Sequence, residues 1–171
     1  LGYMTEEQYE QLVNSDFVEQ AGHRRIIGYA SNTSSHSIEI NYADSVQQEL
    51  TFCVPTHGAA PEKANEIATT DLALKALGVE PKIGAAVPLE FELRGKTYHY
   101  DMVLSGWWEA SNDSVSVATV SEQFIKENPD VVQNTYAVDH EMSGVTFSDV
   151  VLKNKENVQQ QLNEFVYLSL I

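Results

Sequence analysis

One cysteine in 171 residues excludes an internal disulfide, so no covalent staple holds this chain. A single thiol neither requires an oxidising compartment nor contradicts an extracellular position. Basic residues are scarce too: ten Lys and Arg stand against 25 Asp and Glu, for a formal net charge of −15. Binding nucleic acid takes clustered cations to neutralise phosphates, and electrostatic docking on an anionic bilayer takes the same, so the composition argues against both. No apolar run is long enough to span a bilayer, and the most apolar tail, Phe165 to Ile171, is far too short. The chain opens on Leu1-Gly2-Tyr3 without an initiator Met or a signal peptide, so it is expected to be a piece excised from a longer protein. Also missing are GxSxG, HExxH, a phosphate loop, a dinucleotide fingerprint, internal repeats and low-complexity tracts.

What is present is enough apolar material, 43% of residues, for one core in a single domain or a domain carrying an inserted lobe. The richest stretch runs from Asn65 to Glu109. Glu66 to Ala68 reads as a short strand, and Thr69 or Thr70 can cap the helix that follows by accepting from its free N–H groups. Leu72, Ala73, Ala76 and Leu77 fall on one helical face, and Gly78 can end that helix in the left-handed conformation. After a Pro81 to Gly84 turn, Val87, Leu89, Phe91 and Leu93 alternate along a strand. Arg94-Gly95-Lys96 then turns the chain, and Thr97 to Leu104 returns.

Elsewhere, Thr5-Glu6-Glu7-Gln8 is a capping box with Met4 and Tyr9 at the staple positions, and Tyr9, Leu12 and Val13 share a face. Asn14-Ser15-Asp16 ends that helix. Strands are expected over Arg25 to Tyr29, over Ile38 to Tyr42 as a half-buried alternating strand, and over Leu50 to Val54. Ser31 to Ser37 and Pro55 to Ala64 read as loops. Val115, Val117 and Ala118 mark another strand; Ser121 caps a short helix stapled by Val120 and Ile125 and halted by Pro129. Thr135 to Val138 and Val145 to Leu152 are further strands, and Asn154 caps a last helix whose face is Val158, Leu162, Phe165 and Val166. Hairpins mixed with strand-helix-strand steps give the class α+β.

Candidate chemistry is thin. Cys53 and His57 lack the further ligands a zinc site needs, so Cys53 reads as a buried residue at a strand end and His57 as a loop residue. Asp139-His140-Glu141 are consecutive, and on a strand such residues face opposite ways. His99 and Asp101 share a strand face and His36 lies near Glu39, but neither pair has a nucleophile at a recognisable spacing. His23-Arg24-Arg25 is the only basic cluster, suited to an intramolecular ion pair with the Glu-rich first helix or to lipid headgroups. Asn32-Thr33-Ser34 and Asn112-Asp113-Ser114 match the glycosylation pattern and read as polar loops. Trp107 and Trp108 end the long hairpin; one ring should enter the core, and the other is a candidate contact for a partner. No catalytic residue, metal ligand or cofactor site is expected.

The order of these elements resembles the extracytoplasmic domain of ABC-transporter permeases of the FtsX/MacB-like family. The residues that carry the resemblance are Glu66-Ile67-Ala68, Leu77-Gly78, Ile83-Gly84, Val87, Leu89, Gly95-Lys96, Tyr98, Val103 and Ser105-Gly106. They cover about a third of the chain and are structural punctuation, so they speak to fold more than to activity. The resemblance implies a bacterial protein of Gram-positive type and a mixed sheet with short helices packed on it, a MacB-like periplasmic core carrying an inserted second lobe. It divides the single domain, 1–171, into a membrane-proximal lobe of 1–52 plus 118–171 and an inserted lobe of 53–117. It further implies a non-enzymatic domain on the extracellular face of the cell membrane, coupling cytoplasmic ATP hydrolysis to substrate export or extraction, or to regulation of an extracellular partner. The implied partners are the flanking transmembrane helices, a cytoplasmic ATPase subunit and a second permease copy, with no nucleic acid. The alternative is a free-standing secreted or lipid-anchored binding module for a peptide or cell-wall component.

Overall fold

The structure is a computed structural model and describes residues 3–4, 7, 10–11, 14, 16, 18–33, 35–111, 115–133 and 148–154. Its elements run β1 (Tyr3–Met4), β2 (Val18–Tyr29), β3 (Ser37–Ala43), α1 (Ser45–Leu50), β4 (His57–Gly58), β5 (Glu66–Thr70), α2 (Asp71–Leu77), β6 (Ala86–Leu93), β7 (Lys96–Trp108), β8 (Val115–Val120), α3 (Glu122–Glu127), α4 (Pro129–Gln133) and β9 (Ser148–Asn154). This is the expected α+β class: one mixed sheet with short helices.

Turn chemistry sets the long hairpin. Arg94 (φ 52°) and Gly95 (φ 75°) both take left-handed backbone. Two such residues match the twist of the flanking strands, so β6 and β7 pair without slippage from Leu93↔Lys96 to Ala86↔Val103. On β6 the alternation holds, with Val87, Leu89 and Phe91 buried. Ahead of it, Thr70 caps α2 by accepting from the Ala73 N–H at 3.1 Å, and Gly78 ends the helix at φ 71°. Ser121 caps α3 by accepting from the Phe124 N–H at 3.0 Å. Pro129 then opens α4, where its missing N–H costs nothing.

The sheet runs β1-β9-β2-β3-β8-β5-β7-β4, with β6 also on β7. Val103 pairs with both Glu66 and Ala86, which puts β5 and β6 on opposite edges of β7. The pairs β3–β8 and β5–β7 are parallel; the other strand pairs are antiparallel. The sheet curls until Ala30, just past β2, bridges Phe91 of β6. Inside the curl lie Ile27, Ile38, Ile40, Ile67, Leu104 and Phe124, each at most 1% exposed. Burial of this kind stabilises by roughly 1.5–3 kcal/mol per side chain. Phe91 stacks on Tyr98 at 5.4 Å, and Tyr100 meets Phe124 edge-on at 5.0 Å. Residues on both sides of the expected lobe boundaries share this core, and the 117/118 boundary falls inside β8, which pairs with β3 along its whole length.

Two expectations need correction. Leu50 to Val54 is not a strand. Asp44 caps α1, its Oδ1 accepting from the Gln47 N–H at 2.8 Å, and the helix closes with Phe52 N–H to Glu49 O (3.2 Å) and Cys53 N–H to Gln48 O (2.8 Å). Those bonds occupy backbone groups that a strand would have offered to a neighbour. Cys53 therefore sits on a half-buried loop after a helix. Nor is β3 half-buried: Ile38, Glu39, Ile40 and Asn41 are all buried. Its polar residues are satisfied within the sheet. Arg24 Nη1 donates to both Glu39 oxygens at 3.2 Å, Asn41 Nδ2 donates to Glu39 Oε2 at 2.8 Å, and Thr119 Oγ1 donates to Asn41 Oδ1 at 3.0 Å.

Most of the expected first helix, the strand at Thr135 to Val138, the Asp139-His140-Glu141 group, Asn112 to Ser114 and the last helix lie outside the described residues. Within the first helix span, Asn14 N–H donates to Glu10 O at 3.1 Å, a helical step. The strand expected over Val145 to Leu152 is observed as β9, Ser148–Asn154, and β1 pairs with it through Tyr3↔Asp149 and Met4↔Ser148. No helix among the described residues is long and apolar enough to cross a membrane.

Candidate functional site

The tryptophan pair is placed by a bulge. Opposite β5, Leu104 faces Ile67 but Gly106 faces Ala68, which leaves Ser105 as the extra residue. An extra residue resets the alternation of side chains. Trp107 consequently packs against the same core as Leu104, while Trp108, its neighbour, is 6% exposed and lies outside that cluster. Both rings are largely covered, where the alternation rule alone expected one in and one out.

The cover on Trp107 is His57. The two rings stack with centroids 3.8 Å apart and planes 7° from parallel. His57 arrives on β4, which pairs with the end of β7 through His57↔Trp107 and Gly58↔Gly106. Glu109 secures the arrangement: His57 Nε2 lies 3.3 Å from Glu109 Oε1, and Thr56 Oγ1 donates to Glu109 Oε2 at 3.3 Å. A hydrogen bond from its own backbone N–H, with those to His57 and Thr56, holds the Glu109 carboxyl below the usual carboxylate range. His57, Thr56 and Glu109 are all exposed, so the cluster forms a polar-aromatic surface at the sheet edge.

The remaining candidates separate. Cys53 Sγ bonds to Thr51 O at 3.4 Å and takes no part with His57, and burial pushes its thiol pKa up. That favours the unreactive protonated form. His99 is flanked by Asp101 (Nε2 to Oδ1, 3.1 Å) and, more distantly, Glu90 (Nδ1 to Oε2, 3.9 Å). The carboxylates meet opposite ring nitrogens, so the three do not converge on one centre. Among the described residues no group of three His, Cys, Asp or Glu could hold a metal ion. Arg24 of the basic cluster pairs with Glu39 of β3, an intramolecular ion pair within the sheet. His36 does not meet Glu39; its Nε2 lies 2.7 Å from Ser116 Oγ, which lies 2.6 Å from Thr70 Oγ1. This serine-histidine contact joins residues 80 positions apart, so local spacing carried no sign of it. Ser116 is 1% exposed, too enclosed to attack a substrate. The relay instead ties the start of β3 and β8 to the cap of α2.

No family model matches the chain, and no curated protein matches it in sequence. Among solved structures, the extracellular domain of the noncanonic ABC-type transporter YknZ from Gram-positive bacteria superposes with a TM-score of 0.54. That match covers 92% of this chain and 78% of that one at 14% identity. The fold is that of an ABC-transporter extracellular domain. At such identity the likeness extends to the fold alone. Two others superpose with lower TM-scores. A domain assigned to a permease protein of Porphyromonas gingivalis has a TM-score of 0.48 and 11% identity, covering 84% of this chain and 59% of that one. The periplasmic region of MacB from Actinobacillus actinomycetemcomitans has 0.37 and 10%, covering 95% and 84%.

Proposed function

We propose that this chain is a non-enzymatic extracytoplasmic domain of an ABC-transporter permease. In this reading it transmits motion between membrane helices and whatever the transporter exports, extracts or regulates outside. The observation that supports it most is the fold, a curled mixed sheet like that of the YknZ extracellular domain. A second feature agrees: β1, near the start of the chain, is hydrogen-bonded to β9, the last described strand. Segments from both ends of the sequence thereby enter one sheet, as a body tethered at both ends requires.

The partners in this proposal are the flanking transmembrane helices, a cytoplasmic ATPase acting through them, and a second permease copy. The proposed lobes are 1–52 with 118–171, next to the membrane, and 53–117 beyond them, a division that cuts through β8. The partner contact expected at Trp107 and Trp108 would fall on the exposed His57 that covers Trp107 and on the exposed Glu109 bonded to it, because Trp108 itself is buried. Motion passes through such a body by rigid rotation of one part against another, which needs no catalytic cleft.

The test uses the full-length gene product in its own cells. Protease added outside intact cells should cut within this domain, and the protein should fractionate with membranes. A protein that stays in the cytosol, or is released wholly into the medium, overturns the reading; the second result favours the secreted module.

A further inference from the structure

The sheet is joined unevenly. Strands β1, β9, β2, β3 and β8 form one run of neighbours, and β5, β7, β6 and β4 form another. They meet at two seams. In the first, β5 pairs with β8 through Ile67↔Val120 and Ala68↔Thr119. Side chains reinforce it: Thr69 Oγ1 donates to Val117 O at 2.9 Å, and the Thr70 and Ser116 hydroxyls are bonded at 2.6 Å. The second seam rests on the single bridge Ala30↔Phe91. Two bonds support it, from Ser31 N–H to Glu90 O at 2.7 Å and from Asn32 Nδ2 to Pro88 O at 2.9 Å.

The second seam is also poorly satisfied. Pro88 has no N–H to return to its neighbour. Asn32, which bonds to Pro88, has its Oδ1 buried with no hydrogen-bond partner among the described residues, and so has the next residue, Thr33, its Oγ1. Buried oxygens without donors penalise the closed arrangement, because opening returns them to water. Apolar packing opposes opening, since Ala30 packs against the core that buries Phe91. One seam is thus doubly bonded, and the other balances apolar gain against polar loss.

The geometry points to a clasp: residues Ala30 to Thr33 release and re-engage the outer edge of β6 while the β5–β8 seam stays paired as the hinge. Its use in a transporter rests on the function proposed above, but its operation belongs to this chain alone. Opening should be frequent compared with global unfolding, and it should expose the Pro88 and Glu90 carbonyls on the β6 edge.

Amide hydrogen exchange on this chain in solution tests it, independently of any transport assay. The Ser31 amide should exchange at least about 100-fold faster than the amide of Ile40 in the centre of β3, as sub-global opening allows. Thr33→Val keeps the shape and removes an unsatisfied hydroxyl, so it should slow Ser31 exchange by about tenfold while leaving Ile40 unchanged. Ser31 exchanging as slowly as Ile40 would show that the seam opens only on global unfolding. Fast Ser31 exchange that Thr33→Val fails to slow would show that buried polar loss does not drive release. Either result overturns the clasp.

Discussion

Gly58 and Gly106 lie opposite each other across the β4–β7 ladder, and neither has room for a side chain. A Cβ on Gly58, whose φ is 72°, would collide with the Ser105 carbonyl oxygen; one on Gly106 would collide with the Ala59 carbonyl oxygen and reach Pro55 Cβ at 2.8 Å. Backbone atoms cannot yield as a flexible side chain can. Gly106→Ala should therefore cost about 1–3 kcal/mol, read as a lower midpoint in urea unfolding. An unchanged midpoint would mean that the loop from Pro55 to Ala59 does not press on β7.

Gly78 presents the opposite case. Its φ is 71°, but nothing lies within 4 Å of where a Cβ would stand. Gly78→Val should lose about 1–2 kcal/mol through backbone strain alone. Gly78→Asn should lose distinctly less, because Asn tolerates the left-handed region. Equal losses for Val and Asn in denaturant titrations would contradict a purely conformational origin.

Phe52 occupies the same kind of helix-ending position as Gly78, with φ 58°, and is 86% exposed. Little contact is lost on its removal, so the strain relieved should outweigh the flexibility that glycine adds to the unfolded chain. Phe52→Gly should stabilise the domain by about 0.5–1 kcal/mol. A destabilised variant in calorimetry would show that the ring has a packing role.

The Glu109 carboxyl is held below its ordinary pKa of 4.5 in the folded chain. A depressed folded value means that its contribution is present above pH 4.5 and is lost as pH falls below it. Acid unfolding of Glu109→Gln should accordingly show a slightly shallower pH dependence between about pH 5 and pH 3. The effect is small, since the group is exposed and screened. A steeper dependence would reverse the assignment.

His57 should govern the surroundings of Trp107 and leave Trp108 alone. In a Trp108→Phe background, His57→Ala uncovers the Trp107 ring, and its emission should move to longer wavelength. In a Trp107→Phe background, the same substitution should leave the Trp108 emission in place. Insensitivity of Trp107 would show that the 3.8 Å stack does not persist in solution.

Local chemistry was legible where one residue decides one feature. Thr70, Ser121 and Gly78 stand at the caps and helix end that their types favour, and the β6–β7 hairpin follows from alternation and one turn. Illegible features depend on distant partners. Ile38 to Tyr42 alternates in type, but Glu39 and Asn41 are buried because Arg24 and Thr119 reach them from other strands. Leu50 to Val54 looked strand-like because apolar runs read alike over short spans, and the Asp44 cap that decides the matter lies six residues earlier. The bulge at Ser105 is visible only once β5 supplies the register, so covering both tryptophans could not follow from spacing. The resemblance to permease domains rests on glycines and alternating apolar positions, which describe backbone path, and it is the path that the YknZ extracellular domain shares.

Parallel pairing in mid-sheet also imposes a schedule. Asn41 on β3 bonds to Thr119 on β8, 78 residues further along the chain. At about 5–20 residues per second of synthesis, several seconds pass before the strand that completes β3 leaves the ribosome. During that interval the β2–β3 hairpin carries an unpaired, largely apolar edge. The nascent chain must therefore be kept from joining its neighbours until β8 appears, so the earliest hazard for this domain is wrong pairing before its sequence is complete.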